Sequence, residues 1–284
     1  MPVPIPADLL CDADRLVTRP EIAQRMAHVA ADRQADLDGI GRLAAWDPAM
    51  TVRLLAEANS ARWGQAGLVN TTGGAVIVLG ERRVRELCAG LESVRNFAGI
   101  PAELATMDTF WLSAVHVAIA AQAVSKLGGR GRPNAVFVAG LLHDIGHLVM
   151  LMRATPGLRA ALEQSQAASD ARHIDAYERE HMPFDHAQVG AALAAAWRLP
   201  ACLKACIAHH HRPERARHFR AEVAIVHVAD SLAMLAMGES EDLQDAPAVS
   251  TEAWVRAGVD PVQAPGVIED IRRRALELRA EFPS

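Results

Sequence analysis

Apolar residues recur along this chain at helical spacing, with alanine and leucine filling most segments and few alternating β-branched runs. The first helices are expected over 14–33, with Pro20 at a boundary, and another over 36–45. Asp47-Pro48 supplies a capping residue followed by proline at the first helical position, and that helix runs to about Ala58, where Asn59-Ser60 breaks it. The Ala-Val-Ile-Val run within 71–79 suits a short strand as well as a helix. Val76, Leu79, Val84 and Leu87 continue it at helical spacing, so a helix is expected. Gly99-Ile-Pro101 interrupts the pattern near residue 100. Beyond it, helices are expected over 103–127, over 134–152 with Asn134 as cap, and over 186–197, where Asp185 and Gln188 form a capping box. Pro200 opens a helix that closes on a histidine triplet before Pro213, and a long apolar helix covers 221–237. An acidic linker follows over 238–249. A short helix capped by Ser250 and a charged one over 261–281 end the chain. The expected class is all-α.

Composition changes this picture in one respect. Of the 12 histidines, ten fall between 143 and 227, namely 143, 147, 173, 181, 186, 209, 210, 211, 218 and 227. Metal binding or acid–base chemistry is the reason to concentrate imidazole in this way. The remainder is ordinary: 51% hydrophobic and 22% charged residues exclude wholesale disorder. A net charge of −5 with only six Phe, five Trp and one Tyr argues against binding DNA or stacking on bases. Cysteines at 11, 88, 202 and 206 make no disulfide framework and suggest a reducing compartment. Met-Pro-Val-Pro-Ile-Pro does not read as a signal peptide, and the longest uncharged runs, 64–80 and 109–125, read as core rather than membrane spans. A cytoplasmic protein is expected.

The sharpest chemical signal is His143-Asp144 within Ala139-Gly-Leu-Leu-His-Asp-Ile-Gly146, two ligating side chains in an apolar segment. A buried carboxylate there needs a cation, a metal or several donors, and imidazole with carboxylate suits a divalent transition metal. His116 shares a core-facing stripe with Leu112 and Ile119, where hydrogen-bonded packing explains a histidine as well as ligation does. His186 opens its helix, which a capping role would also explain. His209-His210-His211 closes the 201–211 helix, where the helix dipole accounts for one imidazole but not three. Asp230 lies on the apolar stripe of Val223, Val226, His227 and Met234, with no basic residue three or four positions away. Weaker patterns carry less. Cys202 with Cys206 reads as packing, Gly73-Gly74 as a turn and Arg82-Arg83-Val-Arg85 as a solvated face.

Together, His116, His143, Asp144, His186, His210, His211 and Asp230 resemble the ligand set of the HD superfamily of metal-dependent phosphohydrolases, in an order similar to its HD-GYP branch. Two further stretches resemble the N-terminal half of the HDOD domain, the HD-related output domain: the segment from Asp47-Pro48 to Asn59-Ser60, and Ala75-Val-Ile-Val-Leu-Gly80. The segment from Asp185-His186 to Leu199-Pro200, with His210-His-Arg-Pro213, is similar to its C-terminal half. The resemblance covers 15–240. It implies an N-terminal helical half over 15–100, an HD-like half over 101–240, and a tail over 241–284 that either binds a partner or packs on the HD-like half. It also implies a bacterial signalling output or scaffold protein acting on a protein partner, with one or two divalent ions (Fe, Mn or Zn) and no membrane attachment.

The alternative that the resemblance implies is a phosphohydrolase on a nucleotide or cyclic dinucleotide. His116, His143, Asp144 and Asp230 would then hold one metal and His186, His210 and His211 a second, with Asp144 bridging. The metals would activate a water and stabilise the phosphoryl oxygens. Two departures from the catalytic pattern weigh toward the output reading. Arg-Pro-Glu-Arg-Ala-Arg stands after the histidines in place of a Gly-Tyr-Pro motif, and His147 stands where catalytic relatives carry lysine.

Overall fold

A computed structural model describes residues 5–10, 15–32, 37–168, 173–238 and 242–281. Cys11, Asp14 and Asp36 lie outside the described residues. The fold is all-α, with one two-residue parallel pairing of β1 (Val17–Thr18) with β2 (Glu92–Ser93). That pairing replaces part of the helix expected over 14–33. α1 (Pro20–Ala31) begins at the boundary proline, which occupies the first helical position because its missing N–H has no partner to lose there.

The N-terminal half continues through α2 (Leu37–Ala44), α3 (Pro48–Ala58) and α4 (Thr72–Ala89). Asp47 caps α3 as expected: its side chain accepts the Met50 N–H at 2.7 Å and the Thr18 hydroxyl proton, tying β1 to α3. The 71–79 run is helical. α4 is kinked at Gly80, whose φ of 70° lies in the left-handed region that favours glycine.

The second half is built from α5 (Met107–Gly128), α6 (Pro133–Leu142), α7 (Ile145–Arg153), α8 (Pro156–Ala167), α9 (Ile174–His181), α10 (His186–Ala196), α11 (Ala201–His209) and α12 (Arg220–Met237). α5, α6 and α12 are buried on nearly every face and form its centre. The apolar segments 107–128 and 133–153 are long enough to span a bilayer, but 67% and 89% of their apolar windows are buried inside the protein. α6 runs against α5 at close range, since a β-carbon on Gly140 would lie 2.8 Å from the Val117 carbonyl oxygen. Asn134 is not the cap of α6. Pro133 takes the first helical position and Arg132 precedes it.

The tail forms α13 (Thr251–Ala257) and α14 (Ala264–Glu281), which pack on α12 and on α5 with α12 respectively. Arg272 of α14 donates to the carbonyls of Leu235, Ala236 and Gly238, which the end of α12 leaves without helical partners. The tail thus packs on the second half, one of its two expected roles.

Candidate metal centre

The helix expected over 134–152 is broken in two. α6 ends at Leu142 and α7 starts at Ile145, so His143 and Asp144 occupy a turn, with Asp144 at φ −100° and ψ 18°. The Asp144 carbonyl still accepts from the N–H of His147 and Leu148, which starts α7 at once. Gly146 explains where α7 goes. A β-carbon there would stand 2.1 Å from the His186 carbonyl oxygen and 2.4 Å from the Gly190 nitrogen, so only glycine lets α7 press its backbone on α10. That approach brings Asp144 against His186, and the end of α11 adds His210 and His211.

Their ligating atoms converge. His186 Nε2 lies 3.1 Å from Asp144 Oδ1, 3.3 Å from His210 Nε2 and 2.9 Å from His211 Nε2. His210 Nε2 is 3.4 Å from Asp144 Oδ1. Donors on a tetrahedral ion with bonds of about 2.0–2.1 Å stand about 3.3 Å apart, so these spacings suit a shared cation. The outer nitrogens are tied down in the way ligation requires. His143 Nδ1 donates to the Gly140 carbonyl (2.7 Å), His210 Nδ1 to the Ile207 carbonyl (2.9 Å) and His186 Nδ1 to Glu178 Oε2 (2.7 Å). Each donation leaves Nε2 as the inward-facing nitrogen. His227, on α12, supports the same wall by donating Nδ1 to the His210 carbonyl at 2.7 Å.

Four buried polar atoms around this centre lack a hydrogen-bond partner among the described residues: His143 Nε2, Asp144 Oδ1, His173 Nε2 and His211 Nδ1. An unpartnered buried donor or acceptor costs about 1–3 kcal/mol, so four in one place call for a ligand. Groups able to hold an ion form three overlapping sets: Asp144 with His186, His210 and His211; His147 with Glu178 and His186; and His173 with His211 and Asp230. His143 adjoins the first, with Nε2 3.3 Å from Asp144 Oδ2 and 3.7 Å from Asp230 Oδ1.

Charge balance follows from burial and proximity. Burial disfavours a cation at His186, but Glu178 and Asp144 reverse this and hold its pKa well above the ordinary histidine range. Burial likewise opposes charge on Asp144 and on Glu178. The imidazoles of His143 and His186 hold Asp144 far below the usual carboxylate range, and those of His186 and His147 do the same for Glu178. His211 goes the other way, pushed far down by burial and by the neighbouring imidazoles. A proton on His186 Nε2 would give Asp144 Oδ1, 3.1 Å away, the partner it otherwise lacks, doing between Asp144 and Glu178 what a bound cation would do.

Six of the seven expected ligands meet here, and His147 joins them through Nδ1, 2.9 Å from Glu178 Oε1. The exception is His116. Its Nδ1 donates to the Leu112 carbonyl one turn back at 2.7 Å, and it lines a groove with Ala236, Met237, Arg272 and Leu276 under α14. It enters none of the three ligand sets, because its face of α5 turns toward α14 rather than toward the α6–α7 turn. Asp144, expected to bridge, stands among the α10 and α11 histidines, and Asp230 approaches His143 at 3.7 Å and also His173, whose Nδ1 is 3.3 Å from its Oδ2.

Two residues of the centre carry no sequence signal of their own. Glu178 is fully buried, yet it sits in Ile-Asp-Ala-Tyr-Glu-Arg-Glu-His, whose charge pattern matches a solvated helix. His173 was visible only as one of the ten clustered histidines. Both belong to the stretch 156–184, where no periodic apolar stripe announces α8 and α9. A rim of ion pairs fixes α9 beside the site: Arg179 bonds both Asp175 and Asp185, and Arg212 approaches the same two carboxylates at 3.6 and 3.7 Å.

A model of the HDOD domain matches residues 16–213. The chain belongs to the HDOD family. This HDOD chain is 26% identical over 235 residues to an uncharacterized protein of Treponema pallidum (strain Nichols), covering 80% of its own length and 44% of that protein's. It thus spans less than half of that relative. In fold it is similar to the MmoQ response regulator of Methylococcus capsulatus str. Bath, with a TM-score of 0.69 and 20% identity over 90% of this chain and 98% of the other. It is also similar to a virulence factor of Campylobacter jejuni subsp. jejuni (0.67, 17% identity, 94% and 98% covered). A further likeness is to a Shewanella amazonensis SB2B protein provisionally named a phosphohydrolase (0.51, 22% identity, 97% and 98% covered).

Proposed function

We propose that this HDOD chain is a bacterial signalling output module whose HD-like centre holds a divalent metal and whose target is a protein partner. The observation that carries the metal is the convergence of Asp144, His186, His210 and His211 at 2.9–3.4 Å with the Nδ1 atoms of His186 and His210 already engaged. The donor set, imidazole and carboxylate without thiolate, suits Fe, Mn or Zn. The three overlapping sets leave room for one ion or two. Such an ion, when bound, supplies positive charge and Lewis acidity. The protein's own residues do the rest: Glu178 orients His147 and His186, and Gly140 and Ile207 orient His143 and His210. The signalling role follows from the family and from the response regulator among its structural neighbours. A cytoplasmic location fits that role.

One observation favours phosphohydrolysis as a second reading. The Asp144 side chain is 23% exposed and that of His147 12%, so the centre has one edge open to solvent. A nucleotide or cyclic dinucleotide would meet the metal there, with His147 as the nearest donor to its phosphate.

Metal analysis of untagged protein tests the proposal, followed by assay on bis(p-nitrophenyl) phosphate and cyclic dinucleotides. One or two transition-metal ions per chain with no turnover is the expected result. Metal-free, folded protein that takes up none on addition would overturn it, and metal-dependent turnover would replace it with the second reading.

A further inference from the structure

A cleft of about 550 Å³ lies between the two halves, and none of the candidate metal ligands lines it. Its walls come from α2 (Gly41, Arg42), Trp46 in the turn after it, the start of α4 (Thr72, Gly73, Val76), the second half (Gln122, Phe137) and α14 of the tail (Arg274). The volume falls within the roughly 300–1,000 Å³ of small-molecule sites. Three features define what it would accept. The described lining residues include two arginines, Arg42 and Arg274, and no acid; Arg274 touches Asp270 outside the cleft at 3.7 Å. The apolar wall contains Trp46, packed edge-on to Phe137 at 5.2 Å and 85°, together with Val76 and the exposed Ile77. Beside Trp46 stand two amides. Gln122 accepts from Arg274 at 2.9 Å and from Lys126 at 3.4 Å and donates to Asn134 at 3.4 Å, which holds both amides in the lining of the cleft.

Cationic forks, an aromatic wall and paired amides are the parts that recognise, in turn, a phosphate, a flat heterocycle and its polar edge. The opening turn of α4 adds to the first of these. Thr71 caps Gly74 at 3.1 Å, and Gly73, which lines the cleft, has nothing within 4 Å of the position a β-carbon would take, so a ligand can come close to this turn.

We propose that this cleft is a nucleotide site, taking a nucleoside phosphate with its phosphate on Arg42 and Arg274 and its base against Trp46. A ligand there touches α2 and α4 of one half, α5 and α6 of the other and α14 of the tail, so its occupancy stabilises one relative arrangement of the three. The proposal is independent of whether the HD-like centre binds metal.

The test is calorimetric titration of the full chain, untagged, with AMP, GMP, inorganic pyrophosphate and decanoate. At least one nucleotide is expected to bind once per chain, at least tenfold more tightly than pyrophosphate or decanoate. Arg42→Gln, at an exposed position that leaves the fold intact, and Arg274→Gln should each weaken it about tenfold. Trp46→Leu should do the same, and Asp144→Asn should change it less than twofold. Four outcomes overturn the proposal: no nucleotide binding at 5 mM; pyrophosphate binding as tightly as the nucleotides; preference for decanoate; or affinity lost in Asp144→Asn and kept in Arg42→Gln.

Discussion

Glu178 holds His186 twice through a single oxygen: Oε2 accepts the His186 main-chain N–H at 2.8 Å and its Nδ1–H at 2.7 Å. The first bond fixes the entry of α10 and the second fixes the ring, so one buried carboxylate sets both the position and the tautomer of a candidate ligand. Its other oxygen accepts the Nδ1–H of His147 at 2.9 Å and so fixes that ring as well. Glu178→Gln keeps the shape but puts an amide where two or three donors converge. Metal affinity is expected to fall about 10–100-fold. Competition with a coloured chelator measures it; unchanged affinity would mean that Glu178 serves folding alone.

His116 and His210 separate the expected ligand set from the one the fold assembles. His210→Ala should abolish or sharply reduce bound metal, whereas His116→Ala should leave the metal content unchanged. Elemental analysis of the two purified variants, compared with wild type, distinguishes them. Loss of metal in His116→Ala would restore that residue to the centre.

Metal removal should destabilise the protein, because the centre forms only when α7, α10, α11 and α12 are packed. An ion present at 100 times its dissociation constant adds about 2.7 kcal/mol to the folded state. Dialysis against chelator should therefore lower the melting temperature by several degrees, and the divalent ion should restore it. The Asp144→Asn melting curve should not respond to chelator.

Gly146 is expected to be intolerant of any side chain. Gly146→Ala places a methyl group 2.1 Å from a backbone oxygen, which no rotamer change relieves, so a loss of at least about 3 kcal/mol is expected. Gly266, in α14, is the control: nothing lies within 4 Å of its added β-carbon, and Gly266→Ala should gain about 0.5–1 kcal/mol. Urea unfolding of both variants tests the pair.

Asp47 gives a pH dependence away from the metal centre. Burial pushes its carboxyl up to about 6 from the usual 3.8, against the opposing bonds from Thr18 and Met50. The folded state holds this proton more tightly than the unfolded chain does. Its contribution is therefore fully present below about pH 3.8 and is lost as the pH rises through about 6. The loss is about 3 kcal/mol. Asp47→Asn keeps the cap and removes the titration. The variant should match wild type near pH 4 and exceed it by about 2–3 kcal/mol at pH 7.5. A variant less stable than wild type at pH 7.5 would show that the hydrogen bonds of the carboxylate outweigh its burial.

Much of this architecture is local and so was legible in the sequence. Pro20, Asp47-Pro48 and the Asp185/Gln188 box mark helix starts, because the groups that satisfy the first free N–H donors lie within a few residues of them. His143-Asp144, His210, His211 and Asp230 stood out because a ligating side chain on an apolar stripe has no local partner to explain it. What was not legible is where each stripe faces. His116 and His143 have the same apolar context, yet one turns toward α14 and the other, in the α6–α7 turn, toward Asp144 and Asp230, a difference set by how the elements pack and not by neighbouring residues. Glu178 shows the opposite failure: nothing around it distinguishes a buried carboxylate from the exposed Glu180 two positions on.

The sequence by itself determined the helical class and most of the helix starts, the family and the concentration of imidazole, since these depend on spacing and residue type. The tertiary structure alone decided which imidazoles share a centre. Ligation needs atoms within about 3–4 Å of one another, and residues 30 or 40 positions apart reach that distance only through contacts such as Gly146 on α10. It also decided that a charged helix without an apolar stripe brings Glu178 in to orient two of the histidines.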